Sequence, residues 1–288
     1  MSAVRSLTQH VSLTQTDSGL PLLKVDNAFA RAEITLFGAH VLSYQRHGEA
    51  PLLWLSDKAI FDGVQPIRGG IPLCWPWFGP SPARVGLGKP SHGFARICTW
   101  TLDGVSDHVD GSLIHLSLKD SEQTRALWDH AFELELDILV GKELSLVMTT
   151  RNTGTTELVY NGALHTYLQI GAPEQVTVTG LGEPYFDKLS GAMASQHGPL
   201  AVDRAMDRIY QAPEAVIKVR DGDRMIEVIN GGHDSAVVWN PWIENSAKIV
   251  DMSDDGYLTM LCVESTVTVA DGLVVAPDEE HSLTTVIR

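Results

Sequence analysis

The chain has 288 residues, 36 acidic against 21 basic, and a formal net charge of −15. A chain this acidic, without a basic block, is a poor partner for nucleic acid or anionic membranes, and its apolar runs are too short to span a bilayer. Hydrophobic residues make up 44 % and charged residues 20 %, an ordinary globular balance that supports a large core, expected as a single domain over 1–288. Met1 to Gln15 has no continuous apolar stretch, so no secretory signal is expected. Cys74, Cys98 and Cys262 are odd in number and form no C-x-x-C pair. They read as free thiols of a cytoplasmic protein rather than a disulfide scaffold or zinc ribbon.

In chain order, the first unusual segment is Pro66 to Pro80, dense in Gly, Pro and Trp. It reads as a long functional loop rather than a regular element, and its Trp75, Trp77 and Phe78 are candidates either for stacking on a sugar ring or for packing. Ser91-His92-Gly93-Phe94-Ala95-Arg96 follows. Leu113 to Leu118 is strand-like, and Ser121 to Leu127 offers a short helical turn. Phe132 to Val140 alternates apolar with acidic residues and resumes at Leu144, Leu146 and Met148, a β-hairpin. In Leu164 to Ile170, a strand would place His165, Tyr167 and Gln169 on one face. Gln175 to Thr179 is strand-like. Asp221-Gly222 between Val216–Val219 and Met225–Val228 signals a second hairpin. Ser235 to Trp239, Thr259 to Val263 and Ser282 to Ile287 complete the strand-like runs, and Asp251, Asp254 and Asp255 read as a solvated acidic loop. The fold class is therefore all-β, a large antiparallel sandwich with few short helices.

Several chemistries are excluded by spacing. Gly86-Leu87-Gly88-Lys89 matches neither a P-loop nor G-x-G-x-x-G, there is no G-x-S-x-G, and the 11 histidines lack metal-ligand spacing. Acid/base chemistry remains. Glu264 shares its strand face with Met260 and Cys262, and a carboxylate beside apolar neighbours has a raised pKa suited to a general base. A structural histidine at His165 and an ion-paired carboxylate at Glu264 are the alternatives. Arg68, followed by two glycines, and Arg96 suit a phosphate by their bidentate fork, or else form ordinary surface ion pairs.

Together these segments resemble the hexose-6-phosphate mutarotases (glucose-6-phosphate 1-epimerases). The resemblance rests on Pro66-Ile67-Arg68-Gly69-Gly70-Ile71-Pro72, Trp75-Pro76-Trp77-Phe78-Gly79, Ser91 to Arg96, Ala163-Leu164-His165-Thr166-Tyr167, Met206-Asp207-Arg208-Ile209-Tyr210, Val238-Trp239-Asn240-Pro241-Trp242 and Cys262-Val263-Glu264. The motifs run in the family order from about residue 30 to near the C-terminus. The resemblance implies a galactose-mutarotase-like sandwich that interconverts the α and β anomers of an aldohexose 6-phosphate without metal or other cofactor. It implies His165 and Glu264 as the catalytic pair. Arg68, Arg96 and Asp207 fall at substrate-binding positions, with His92 a second substrate-facing histidine. Ser91 stands where the fungal branch carries Gln and reaches less far. The expected partner is a small sugar phosphate, the expected state a monomer. Competing readings are an aldose 1-epimerase on unphosphorylated sugar and a non-catalytic carbohydrate-binding sandwich.

Overall fold

The computed structural model describes residues 4–288, so part of the Met1–Gln15 expectation concerns residues outside those described. Among the described residues, antiparallel sheets of nine, eight, five and two strands carry most of the chain. Among the described residues the only α-helices are the short Glu122–Leu127 and Trp242–Ser246. The first of them falls in the expected turn, because Ser121 caps Thr124 N and Thr124 returns a bond to Ser121 N. No helix among the described residues is long and apolar enough to cross a membrane.

The nine-stranded sheet is built around the strands Phe132–Gly141 and Leu144–Asn152. Their side chains alternate between buried and half-buried along the whole length, which is the period-two pattern made physical. The inward set, including Leu134, Leu136, Ile138, Leu146 and Met148, joins one hydrophobic cluster with Leu164, Ala236, Val238, Leu261 and Val263 of the eight-stranded sheet. The eight-stranded sheet thus packs one face on the core, and its other face is left for a site.

The second hairpin differs by one residue from its expected turn. Its strands end at Asp221 and restart at Arg224, so Gly222 and Asp223 are the central pair. Gly222 takes φ +58°, where glycine carries no steric cost. The Pro66–Pro80 segment also departs from expectation. It is irregular apart from Leu73–Cys74, but it is mostly buried rather than an exposed loop. Trp75 is fully buried among Phe94, Trp128 and Phe132 and donates to Thr150, and Trp77 donates to the Pro90 carbonyl. Both tryptophans are core, which removes them from any role in stacking on a sugar.

Candidate active site

The site grows from the register of the eight-stranded sheet. Gly162–Leu164 and Tyr167–Gln169 both pair with Met260–Val267, and the register is the same on either side of the gap between them. His165 therefore faces Glu264 across the ladder. The expected continuous strand is broken at His165 and Thr166, where His165 N donates to the Pro72 carbonyl and Val263 N donates to the Thr166 carbonyl. On the face expected to carry His165, Tyr167 and Gln169, Tyr167 is 2 % exposed and Gln169 half-buried, so the face is not open to solvent. Asp207, Trp239, Cys262 and Tyr167 are successive cross-strand partners. They form a row beside the His165–Glu264 row on the same face.

His165 Nε2 lies 3.3 Å from Glu264 Oε1, and the two residues are 8 % and 1 % exposed. His165 Nδ1 and Glu264 Oε2 are buried without a partner, a cost that functional sites retain. Burial, reinforced by His92, Arg96 and Arg68, pushes the His165 pKa well below its ordinary value. Burial pushes Glu264 well above the carboxylate range, against the opposing pull of Lys188. Both shifts favour a pair that is neutral overall and shares one mobile proton.

The opposite wall is the Ser91–Arg96 segment. His92 and Gly93 adopt φ +61° and +73°, and a Cβ at Gly93 would lie 1.9 Å from the Trp75 carbonyl oxygen. Only glycine permits this approach, which brings the His92 ring to 5.8 Å from that of His165 and 4.8 Å from that of Phe78. Burial, then the charges of Arg96, Lys188 and Arg68, lowers the His92 pKa to about 3. Arg96 Nη2 donates to the Ser91 carbonyl at 2.7 Å, while its Nε is buried without a partner. Ser91 itself is exposed and contributes this carbonyl.

Arg68 enters from the glycine-rich segment. Its Nη1 donates to the Tyr167 hydroxyl at 3.1 Å and its Nε to Asp251 at 3.2 Å. Tyr167 and Asp251 hold the guanidinium protonated, above its ordinary value. Gly69 and Gly70 approach the protein's own backbone, not a ligand: a Cβ at Gly70 would meet the Val41 carbonyl oxygen at 2.2 Å. Asp251 is 9 % exposed and binds Arg68, which corrects the solvated reading for that residue, whereas Asp254 and Asp255 are exposed.

Asp207 pairs with Lys188 Nζ at 2.9 Å, not with its neighbour Arg208. Lys188 also lies 5.4 Å above the Phe78 ring. Sequence reasoning gave Lys188 no reading, placed Asp251 in a solvated loop and assigned Tyr167 no role at the site. The alternation signal does bear on Tyr167, which shares a face with His165, but Lys188 and Asp251 carried no motif. The aromatics left at the site are Phe78, Tyr167, stacked 4.9 Å from His165, and Trp239, edge-on at 6.3 Å. Size alone does not locate the site, since a cavity of about 760 Å³ beside Thr101, Ser117 and Thr124 lies away from these residues.

An antiparallel sandwich carrying a buried imidazole–carboxylate pair, ringed by three cations, is an arrangement suited to acid/base chemistry on a small polar substrate. The chain belongs to the aldose 1-epimerase family, whose model matches residues 21–288. It is an isomerase of the epimerase class and acts on a small-molecule sugar. A Salmonella typhimurium protein named as a candidate glucose-6-phosphate 1-epimerase is 37 % identical over 269 residues, covering 92 % of this chain and 89 % of that one. The crystal structure of a candidate mutarotase from Salmonella typhimurium matches with TM-score 0.92 at 34 % identity, covering 98 % of this chain and 94 % of that chain. A galactose mutarotase related enzyme from Lactobacillus acidophilus shares the fold, with TM-score 0.70 at 15 % identity over 92 % of this chain and 96 % of its own.

Proposed function

We propose that the chain interconverts the α and β anomers of an aldohexose 6-phosphate, glucose 6-phosphate first among them. The observation that carries the reading is the 3.3 Å approach of His165 to Glu264 on a face that also presents Arg68, Arg96 and Lys188. Mutarotation breaks and remakes the C1–O5 bond of the sugar. A proton must leave the C1 hydroxyl and another must reach O5. Glu264 takes the first and His165 delivers the second. The open-chain aldehyde turns about C1–C2, and reclosure on the other face inverts C1 while both protons return. Assistance of this kind is worth on the order of 10²–10⁴ in rate.

The reactive form has imidazolium beside carboxylate, and it holds the same number of protons as neutral imidazole beside carboxylic acid. One proton passing between Glu264 and His165 converts the two without changing the charge of the buried pair. Hydrogen bonds from the sugar then favour the ionic form.

Arg96, His92 and Asp207 serve substrate binding in this reading. Arg96 is the principal phosphate cation: among the described residues it has no carboxylate partner, whereas Arg68 is tied to Asp251 and Lys188 to Asp207. The net charge of −15 does not oppose this role, because charges beyond about 8 Å are screened at physiological salt. The chain works in this reading as a monomeric single domain in the cytoplasm, without nucleic acid. One hydrophobic cluster running from Val11 to Ile287 and three unpaired cysteines support the domain and the reducing compartment. The decisive experiment follows the approach to anomeric equilibrium from pure α-glucose 6-phosphate and from pure α-glucose. Acceleration of the phosphorylated sugar above the unphosphorylated one is expected. Equal acceleration of both would favour a general aldose 1-epimerase, and none at all a carbohydrate-binding role.

A further inference from the structure

Cys262 lies two residues before Glu264 on the same strand face, and His165 faces Glu264 from the neighbouring strand. The ligand-capable atoms of these three residues all lie within 4.8 Å of one another, and all three residues are buried. No spacing rule reveals this cluster, because it joins two strands distant in the chain. We propose that His165, Cys262 and Glu264 form a zinc-binding site whose occupation switches the enzyme off.

The geometry carries the argument. Zinc bonds to nitrogen and oxygen of about 2.0–2.1 Å, arranged tetrahedrally, require an N–O separation of roughly 3.3–3.4 Å. The observed His165 Nε2 to Glu264 Oε1 separation is 3.3 Å. The edges to sulfur should be roughly 3.5 Å, so a separation of up to 4.8 Å must close by up to about 1.3 Å, through rotation about the Cys262 Cα–Cβ bond. The thiol gives its proton to solvent on binding. Thiolate and carboxylate then balance the two positive charges of the ion, so no net charge is buried. A thiolate and an imidazole together select zinc over magnesium or calcium.

Two buried polar atoms of the cluster, His165 Nδ1 and Glu264 Oε2, have no partner. Coordination would engage the carboxylate further and leave a fourth position open, as in three-ligand zinc sites. An ion held there occupies the lone pairs that the proposed acid/base steps need. Loss of activity therefore rests on the reading of His165 and Glu264 as the catalytic pair, whereas the binding itself does not.

The test uses the full chain, stripped with chelator and kept anaerobic, with Co²⁺ as a spectroscopic probe. Wild type should develop the near-ultraviolet thiolate-to-cobalt band and the visible bands of tetrahedral cobalt, both bleached by added Zn²⁺. Cys262→Ser should lose the thiolate band, and His165→Asn should bind at least about tenfold more weakly. In the mutarotation assay Zn²⁺ should inhibit wild type reversibly, with recovery on adding EDTA. Cys262→Ala should turn over normally without metal and need at least about tenfold more Zn²⁺ for the same inhibition. Absence of a thiolate band in wild type overturns the proposal, and so does equal inhibition of wild type and Cys262→Ala. If the Cys262 variants fail to fold, the wild-type thiolate band and its weakening in His165→Asn decide. If wild type proves inactive on every sugar, the catalytic reading falls while the cobalt spectrum still judges the site.

Discussion

Asp251 and Arg68 form a partly buried ion pair, with the carboxylate 3.2 Å from Nε and the Arg68 side chain 28 % exposed. The pair changes what each arginine of the site is able to do. Arg68 already has a counter-ion, so its charge is largely committed to holding Asp251 and Tyr167 in place. Arg96 donates only to a neutral carbonyl.

Substitution at the two arginines should therefore divide. Arg96→Ala should lower kcat/KM for glucose 6-phosphate by about 10–100-fold, the worth of a charge-assisted hydrogen bond, and leave glucose nearly untouched. Arg68→Ala should instead cost about 2 kcal/mol of stability, because it strands the buried Asp251 carboxylate. Steady-state kinetics on both sugars and urea unfolding of both variants check the division. Equal losses on the two sugars in Arg96→Ala would remove its phosphate role.

His165→Asn and Glu264→Gln should each reduce turnover by about 10²–10⁴ while leaving the fold intact. The double variant should lose little more than either single one, because a pair sharing one proton acts as a unit. Circular dichroism and anomerisation rates measure both properties. Wild-type rates in either single variant would refute the pair.

The parts of this site that were legible in the sequence are those governed by one strand. Phe132 to Val140 and Leu144 to Met148 each obey period two, because one side of both strands packs on a single core. Glu264 likewise sits among apolar neighbours, and burial does raise its pKa. Contacts across strands were not legible. Lys188 meets Asp207 only because the strand Pro184–Asp187 pairs with Met206–Tyr210. Asp251 looked like a solvated acidic residue because nothing local reveals the Arg68 that covers it. Trp75 is core whereas Trp239 borders His165, a distinction that tertiary packing alone makes.

The pH profile should carry the signature of the shared proton. His165 is pushed down and Glu264 up, which widens the range of pH over which the pair holds a single proton. A second proton is added only well below 6.5, the ordinary histidine value, and the last is lost only well above the carboxylate range. The profile of kcat/KM should thus be flat through pH 6.5 and fall on both sides. An inflection at 6.5 would show that the pair exchanges a proton with solvent there, against a single proton held through that pH.

His40 offers a test of the scaffold beneath the site. Its Nε2 lies 2.7 Å from the Gly69 carbonyl oxygen, next to Arg68, and burial, only partly offset by that bond, lowers its pKa from 6.5 to about 4. In the unfolded chain the imidazole takes a proton near its ordinary value, whereas in the folded chain it resists one. The folded state therefore has its full His40 contribution above 6.5 and loses it as the pH falls toward 4. The slope is about 1.4 kcal/mol per pH unit, so between pH 7 and pH 5 the loss should reach about 2 kcal/mol. His40→Gln has no such proton to refuse. Urea unfolding at the two pH values should show the advantage of wild type over His40→Gln shrinking by that amount at pH 5. An advantage that stays constant would mean that His40 takes up its proton at the same pH in the fold as in the unfolded chain.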